Sequence, residues 1–203
     1  MNNITVYAKN ERQFEVDMTL SENPLGCSPM VQKALKSLTA NDITKYPKND
    51  LLLTEISNRF NISKNNIVLG CGSEQLIKLI CQTFRKDNSI GLVQRGSFVL
   101  FAKELQITGT KFKLLDPKRI LEENTANVRL VFLCNPNNPT GEIMDNKLIT
   151  KICRRFNKAN VIVDEAIGEF SGETVVGLIK LSPNLIVLKS LSKGFGLAGL
   201  RIG

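Results

Sequence analysis

The sequence predicts an α/β protein in which helices cover both faces of a mostly parallel sheet. Short apolar runs alternate with stretches of helical spacing from residue 67 to residue 189, and within the runs consecutive residues are apolar. Consecutive apolar residues are typical of strands buried on both faces, and the intervening helices supply the crossovers that parallel strands require. Six strands are expected, at residues 67–70, 90–93, 111–115, 129–134, 161–164 and 185–189.

Helices are expected before the first run and between the runs. Ser28 can cap a helix that has Pro29 at its first position, and its apolar face continues until KYP at 45–47. Residues 1–27 have no clear period and include the turn-rich SENPLG at 21–26, which predicts an extended arm. Apolar residues at helical spacing predict further helices around 52–60, 76–84, 100–105 and 148–156.

The composition bounds the function. With 203 residues, 42% of them hydrophobic and 23% charged, the chain can bury one substantial core. We find no run of about 18 apolar residues and no secretion signal, so we expect a cytoplasmic protein that does not enter a membrane. The five cysteines are odd in number and lie mostly in apolar patterns, which predicts buried thiols instead of disulfides or metal ligands.

The ionisable residues narrow the choice further. The sequence has no histidine, which excludes a Ser-His-Asp triad and a histidine-based zinc site, and we predict no metal. The net charge of +8 is spread along the chain without a run of five basic residues, which disfavours nucleic-acid binding. A positive field can equally attract phosphorylated or carboxylated small molecules.

The last predicted strand is followed by a glycine-rich stretch, SLSKGFGLAGLRIG at 190–203. Lys193 would lie at the carboxyl end of the sheet, where open α/β sheets bind ligands, and its amine could attack a carbonyl. Arg201 adds a guanidinium suited to a phosphate. Taken alone, both could equally be solvated surface charges, so the interpretation depends on what else reaches this edge.

Three further motifs follow earlier predicted strands. GCGSEQ at 70–75 combines glycines with a helix start, whose backbone N–H groups can bind phosphate, although an ordinary strand-to-helix turn looks the same. NPNNPTG at 135–141 offers amide donors and acceptors on a proline-fixed backbone, or is simply a rigid loop. Asp164 ends a strand of Val and Ile, so we expect it to pair with a cation, which could be a lysine or arginine of the fold itself.

Together these motifs match one cofactor. Parallel strands bring their carboxyl ends to one edge, so a lysine, a carboxylate, an amide-bearing loop and an anion cradle would converge there. Pyridoxal 5′-phosphate has an aldehyde for the lysine, a phosphate for the cradle and the arginine, a phenolic oxygen for an amide and a ring nitrogen for the carboxylate. We therefore predict pyridoxal 5′-phosphate as the cofactor.

The same motifs carry a resemblance to a known family. SENPLG, KYP, GCGSE, NPNNPTG, VDEA and the stretch around Lys193 occur in an order that resembles the fold-type I pyridoxal-phosphate enzymes of the class I/II aminotransferases, in particular the histidinol-phosphate aminotransferases. By this resemblance Lys193 joins the cofactor aldehyde and later carries a proton at the substrate Cα. Asp164 would pair with the ring nitrogen, and Asn138 would bind the ring 3-oxygen.

The resemblance also implies the remaining contacts. Phe98 would stack on the ring, and Tyr46 of KYP would reach the phosphate of a neighbouring subunit, which implies a homodimer. Ile167 stands where relatives have an aromatic residue, and Gly96 stands where they usually have proline, so the contacts at these two positions would differ. The phosphate would be held by the backbone amides of Ser73 and Glu74 and by Ser190, Ser192 and Arg201.

The expected function follows from this resemblance. The reaction would transfer an amino group between an amino donor, phosphorylated in some relatives, and a 2-oxo acid. Two alternatives stay open: a threonine-phosphate decarboxylase-like enzyme, and a cofactor-binding remnant without catalysis. Relatives continue beyond the position of Gly203 into a small domain, so we expect residues 1–30 to form an arm and part of a small domain, and residues 31–203 an incomplete cofactor-binding large domain.

Overall fold

Five parallel strands form a single sheet in the computed structural model, which describes residues 19–203. The order across the sheet is β2-β1-β3-β4-β5, and every neighbouring pair is parallel. The predicted α/β class is therefore confirmed. The strands are β1 (Ile90–Gln94), β2 (Lys111–Leu115), β3 (Val128–Cys134), β4 (Asn160–Asp164) and β5 (Leu185–Leu188).

Helices precede the sheet and connect its strands. Across the described residues 19–203, no helix combines the length and apolar character needed to cross a bilayer. The α-helices are α1 (Pro29–Lys36), α2 (Ala40–Thr44), α3 (Asp50–Phe60), α4 (Gly72–Thr83), α5 (Leu100–Ile107), α6 (Pro117–Ile120) and α7 (Asn146–Arg155). Short 3₁₀ turns lie at Lys64–Asn66, Gly168–Phe170, Val176–Lys180 and Ala198–Leu200.

Side chains of the central strands alternate between two apolar layers. On β3, Leu130 and Phe132 belong to the layer that contains residues of α4 and α5, whereas Val131 and Leu133 belong to the layer that contains residues of α7. All four side chains are at most 1% exposed. Because both faces of the sheet are covered, successive strand residues are apolar, which is the pattern that predicted a parallel sheet.

Residues 67–70, the first of the six predicted strands, do not form a strand. Val68 is 72% exposed. The long-range backbone hydrogen bonds of this segment within the described residues come from one pair: Gly70 N donates to Gly203 O at 2.9 Å, and Gly203 N donates to Gly70 O at 3.0 Å. The prediction was wrong because a strand needs a ladder of partners, and an apolar run alone does not supply one.

The first helix begins as predicted but ends earlier. Ser28 Oγ accepts from Val31 N at 3.3 Å, and Pro29 lies in the first turn. The apolar face predicted to run on as one helix is divided between α1 and α2. The break occurs because Thr39 starts a new helix, where its backbone N–H donates to Asp42 Oδ2 at 2.8 Å.

The prediction of buried thiols holds for three of the five cysteines, Cys81, Cys134 and Cys153. Cys71 is exposed and Cys27 is half-buried, so the prediction was wrong for these two. Both lie outside the two apolar layers, Cys71 in the glycine turn before α4 and Cys27 directly before the cap of α1. A cysteine in a turn has no layer of side chains to cover it.

Candidate functional site

The strand order reverses between β1 and β3. The chain runs from β1 to the edge strand β2 and then returns to β3 on the other side of β1. In open α/β sheets, a crevice forms outside the carboxyl ends of the strands at such a reversal. Here the loop after β1 and the loop after β3 are joined by a hydrogen bond, in which Asn137 Nδ2 donates to Gly96 O at 3.1 Å. Phe98 and Asn138, two of the predicted cofactor residues, lie on these loops.

Two of the three asparagines in the loop after β3 stabilise the loop itself. Asn135 Oδ1 accepts from Met144 N at 2.7 Å, and the Asn137 side chain bonds Gly96 as described above. Asn138 is held differently: its backbone N–H lies 3.3 Å from Cys134 Sγ, and its side chain makes no hydrogen bond within the part of the chain that the structure describes. The exposed amide of Asn138 is therefore available to a ligand.

Asp164 ends β4 as a carboxylate that is only 2% exposed. Within the described residues, the side-chain carboxylate accepts one hydrogen bond, from Ala166 N at 2.8 Å. Burial raises the pKa of Asp164 to about 6, while the bond from Ala166 lowers it, Glu165 raises it and Lys189 lowers it. No lysine or arginine among the described residues pairs with this carboxylate, because Lys189, the nearby cation, pairs with Glu165 and Glu169.

The pairing of Lys189 was not foreseen from the sequence. Lys189 Nζ lies 3.0 Å from Glu165 Oε2 and 3.0 Å from Glu169 Oε1. Glu165 is 1% exposed at its side chain and also accepts from Thr174 Oγ1 and Val175 N, both at 2.6 Å. The only sequence signal was a second carboxylate directly after Asp164, and a surface charge has the same appearance.

Lys193 is half-buried in the turn that follows β5. Its ammonium donates to the backbone carbonyl of Leu20. Burial lowers the pKa of Lys193. The negative charge of Glu22 raises this pKa, the positive charge of Arg201 lowers it, and the negative charge of Glu74 raises it. A lowered pKa leaves more of the amine unprotonated at neutral pH, which is the form that attacks a carbonyl.

Arg201 lies over the start of α4. Its Nη2 is 3.4 Å from Glu74 Oε2, and its Nη1 is 3.5 Å from Ser192 Oγ. Gly72 makes this approach feasible, since a Cβ at that position would lie 2.9 Å from Arg201 Nη2. The guanidinium therefore lies beside Gly72, the first residue of α4, and the N–H groups at the start of a helix favour anions.

Backbone bonds fix the segment that carries Arg201. Leu191 N donates to Ile202 O at 3.0 Å, which closes the loop between them. The reciprocal pair between Gly70 and Gly203 then attaches the segment to the turn before α4. Glycine is needed at 203, because a Cβ there would lie 2.7 Å from the backbone carbon of Gly72.

The N-terminal SENPLG segment packs against the turn that contains Lys193. Asn23 Nδ2 donates to Gly194 O at 3.2 Å. Gly196 has a φ of +67°, and a Cβ there would lie 2.3 Å from Gly26 O, so the two backbones touch. Residues predicted as an extended arm are thus part of the surroundings of Lys193, and residues 1–18 of that arm lie outside the described residues.

The other predicted site residues differ in where they lie. Ser190 is buried, and its Oγ accepts from Ser192 N at 3.2 Å. Phe98 packs edge-on against Phe101 with ring centroids 5.8 Å apart, so it is partly a core residue. Tyr46 is 97% exposed. Lys193, Asp164 and Asn138 therefore lie at the carboxyl ends of parallel strands, at one edge of the sheet, whereas Tyr46 lies at the surface.

Residues 15–203 match the model of the family "Aminotransferase class I and II". The chain belongs to this family. Among curated proteins, it is 31% identical over 212 residues to the histidinol-phosphate aminotransferase of Ruminiclostridium cellulolyticum, an alignment that covers 97% of this chain and 59% of that protein. The chain thus spans less than two thirds of the length of the curated relative.

Two solved structures share the fold. The histidinol-phosphate aminotransferase from Sinorhizobium meliloti, solved in complex with pyridoxal-5′-phosphate, matches with a TM-score of 0.76 and 24% identity over 90% of this chain and 53% of that one. The L-threonine-O-3-phosphate decarboxylase from Porphyromonas gingivalis matches with a TM-score of 0.76 and 26% identity over 87% of this chain and 58% of that one.

Proposed function

We propose that this chain is the cofactor-binding part of a pyridoxal-phosphate-dependent aminotransferase similar to the histidinol-phosphate aminotransferases. The observation that carries the proposal is Asp164, a buried strand-end carboxylate that the fold supplies with a single backbone donor and no contacting cation among the described residues. A protonated ring nitrogen would provide the missing positive charge. Membership of the family supports the same cofactor.

The anion-binding groups fit the phosphate of this cofactor. Arg201 supplies a permanent charge, and the first N–H groups of α4 at Ser73 and Glu74 supply backbone donors. The hydroxyls of Ser190 and Ser192 lie on the segment between β5 and Arg201, and Ser192 already lies beside that guanidinium. We assign the phosphate to these five residues.

The ring would lie between the β1 and β3 loops. Asn138 has a free side-chain amide to donate to the ring 3-oxygen, and Phe98 lies on the neighbouring loop to cover one face of the ring. Ile167 cannot add the hydrogen bond that an aromatic hydroxyl would supply there. Asp164 would hold the ring nitrogen protonated, and when bound the cofactor supplies an electron sink for charge that develops at the substrate Cα.

Lys193 is the side chain of the protein that would take part directly in the reaction. Its amine would hold the cofactor at the aldehyde carbon and, when free, would carry the proton that leaves the substrate Cα. The lowered pKa of Lys193 supports both roles, because each requires the neutral amine. Its bond to the Leu20 carbonyl holds the amine in place until a ligand displaces it.

The substrates and the assembly belong to the same proposal. The name of the curated relative supports an amino donor that carries a phosphate, with a 2-oxo acid as the acceptor. Tyr46 is exposed, as a residue that serves the phosphate of a second subunit would be, so we propose a homodimer. The domain boundary near residue 30 and the cytoplasmic location stay predictions.

The test is covalent attachment of the cofactor. The chain is incubated with pyridoxal phosphate and treated with borohydride, and the modified peptide is identified by mass spectrometry. We expect the cofactor mass on Lys193, and no attachment in Lys193→Ala. Lys113→Arg, on the edge strand β2, is a control for general lysine modification and should be labelled like the wild type. A wild-type chain that is not labelled at Lys193 would refute the cofactor assignment.

A decarboxylase is the second candidate, and the Porphyromonas gingivalis structure favours it. Both reactions use the same cofactor chemistry and differ in which bond to Cα breaks, so the residues near Lys193 do not distinguish them. The discriminating measurement is product analysis with an O-phosphorylated amino acid. Release of carbon dioxide identifies the decarboxylase, whereas transfer of the amino group to a 2-oxo acid identifies the aminotransferase. Binding without either product supports the remnant.

A further inference from the structure

Lys189 joins two carboxylates, those of Glu165 and Glu169, which follow β4 in the chain. It follows β5 directly and contacts both Glu165 and Glu169 at 3.0 Å, while its own side chain is 21% exposed. The function proposed above uses none of these three groups. A buried cluster of two anions and one cation is costly unless every charge is paired, so removing the cation would be strongly felt.

The first carboxylate connects Lys189 to Asp164. Glu165 is the next residue in the chain, and its backbone N–H donates to Leu188 O at 2.8 Å, which continues the pairing of β4 with β5. Within the described residues, the ionisable groups that act on Asp164 are Glu165, Lys189 and the buried thiol of Cys134 on β3. The thiol is neutral at physiological pH because burial raises the pKa of Cys134 to about 12.

The second carboxylate connects Lys189 to the turn after Lys193. A Cβ at Gly194 would lie 2.6 Å from Glu169 Cβ, so the backbone of Gly194 rests directly on the Glu169 side chain. From the other side, Asn23 Nδ2 donates to Gly194 O. The position of this turn therefore depends on where Glu169 is held.

Aromatic and basic groups of α3 cover the remaining side of the ammonium. Lys189 Nζ lies 5.5 Å from the centroid of the Phe60 ring, and Arg59 lies 5.7 Å from the same centroid. The ring attracts both cations, but only Lys189 contacts the carboxylates. Lys189 is therefore the cation that balances Glu165 and Glu169 within the described residues.

We propose that Lys189 is a positioning residue of the cofactor site, whose ammonium pairs with Glu165 and Glu169 and thereby sets both the charge beside Asp164 and the place of the turn after Lys193. The inference rests on the proposed function. Without this ammonium, the negative charge of Glu165 would act on Asp164 unopposed, and Asp164 would hold its proton to higher pH. With Glu165 neutralised instead, the carboxylate that raises the pKa of Asp164 would be gone, and Asp164 would lose its proton at lower pH.

The experiment measures the affinity of the chain for pyridoxal phosphate from about pH 5 to about pH 9. For Lys189→Met we expect affinity near neutral pH to fall about tenfold and the midpoint of the pH profile to rise by about one unit. Lys189→Arg should stay close to the wild type, because it keeps the charge. Glu165→Gln should move the midpoint to lower pH, because it removes the carboxylate that raises the pKa of Asp164. Lys113→Met, which removes the edge-strand partner of Glu123, is the control and should change nothing.

The outcomes separate this inference from the function on which it rests. A wild type that does not bind pyridoxal phosphate would overturn both. A wild type that binds, together with an unchanged profile for Lys189→Met, would overturn the inference alone, as would an arginine variant that behaves like the methionine variant. If urea unfolding without the cofactor shows that Lys189→Met does not fold, Glu165→Gln decides, since a midpoint that stays or rises contradicts the proposal.

Discussion

Burial in the fold favours the neutral form of Asp164, whereas the proposed cofactor would favour its charged form. Burial raises its pKa from 3.8 to about 6, so the folded cofactor-free chain pays for ionising this carboxyl at neutral pH. Between about pH 4 and pH 6 the folded chain binds the proton more tightly than the unfolded chain, and stability falls as the pH rises through this window. A bound ring nitrogen would reverse the penalty by pairing with the charge.

We therefore predict that Asp164→Asn stabilises the cofactor-free chain while weakening cofactor binding. The free energy of unfolding should rise by up to about 3 kcal/mol at about pH 7.5 and by little at about pH 4, because asparagine does not ionise. Its amide oxygen can still accept from Ala166. Urea unfolding at the two pH values tests this. Asp87→Asn, on a 93% exposed side chain, should have almost no effect; an equal gain there would contradict the burial argument.

Gly72 offers a residue-scale test of the phosphate position. Its φ is +78°, and an added Cβ would lie 2.9 Å from Arg201 Nη2, so Gly72→Ala must displace the guanidinium. We expect affinity for pyridoxal phosphate to fall about tenfold, from strain and displacement of about 1–3 kcal/mol, while affinity for pyridoxal without its phosphate changes little. Equilibrium titration with both ligands measures this difference.

The matched control is Gly177→Ala. No heavy atom lies within 4 Å of a Cβ at that position, and its φ is not in the left-handed region. If both glycine variants lower the affinity for pyridoxal phosphate and the affinity for pyridoxal by the same factor, Arg201 does not bind the phosphate.

At the scale of elements, the side chain of Asn184, which lies in a loop, caps the carboxyl end of α7. Asn184 Nδ2 lies 3.1 Å from Cys153 O, 3.0 Å from Phe156 O and 3.0 Å from Ala159 O. The last carbonyl groups of a helix have no partner within the helix, so this amide satisfies groups that would otherwise lose their hydrogen bonds on burial.

Asn184→Ala should therefore destabilise the chain by about 1–3 kcal/mol, because buried carbonyl oxygens lose their donor. Urea unfolding measures the change. Asn124→Ala removes a single exposed bond to Ala126 N and serves as the comparison. A loss at Asn184 no larger than that at Asn124 would show that water replaces the amide.

The elements themselves were predictable where one period dominated. The strands from β1 to β5 and the helices α3, α4, α5 and α7 all followed from apolar spacing, since buried layers impose that spacing directly. Residues 67–70 carried the same apolar signal without becoming a strand, because pairing depends on a partner that a local pattern does not reveal. Each site motif was likewise recognisable by itself. The pairing of Lys189 with Glu169 and Glu165 has no local signature, because these partners precede Lys189 by 20 and 24 positions in the chain.

At the scale of the whole molecule, burial is uneven. The sheet and the helices α4, α5 and α7 supply the two apolar layers, whereas α1, α2 and α3 contain no buried residue. Several large apolar side chains of this N-terminal part are exposed, with Met30 at 82%, Ile43 at 77% and Leu51 at 81%. Helices without a buried face gain little from tertiary packing, so their stability in this chain is local.

Hydrogen exchange should show this division directly. We expect backbone amides of α1 and α2 to exchange nearly as fast as in an unstructured peptide, and those of β3 to exchange only on global unfolding, because local opening costs little where no apolar surface is buried. Adding pyridoxal phosphate should increase protection around Ser73 and from Ser190 to Arg201, since a ligand protects the amides it binds, and should leave α1 unchanged. Slow exchange in α1 that depends on protein concentration would instead mean that a second copy covers these helices, as the proposed homodimer would.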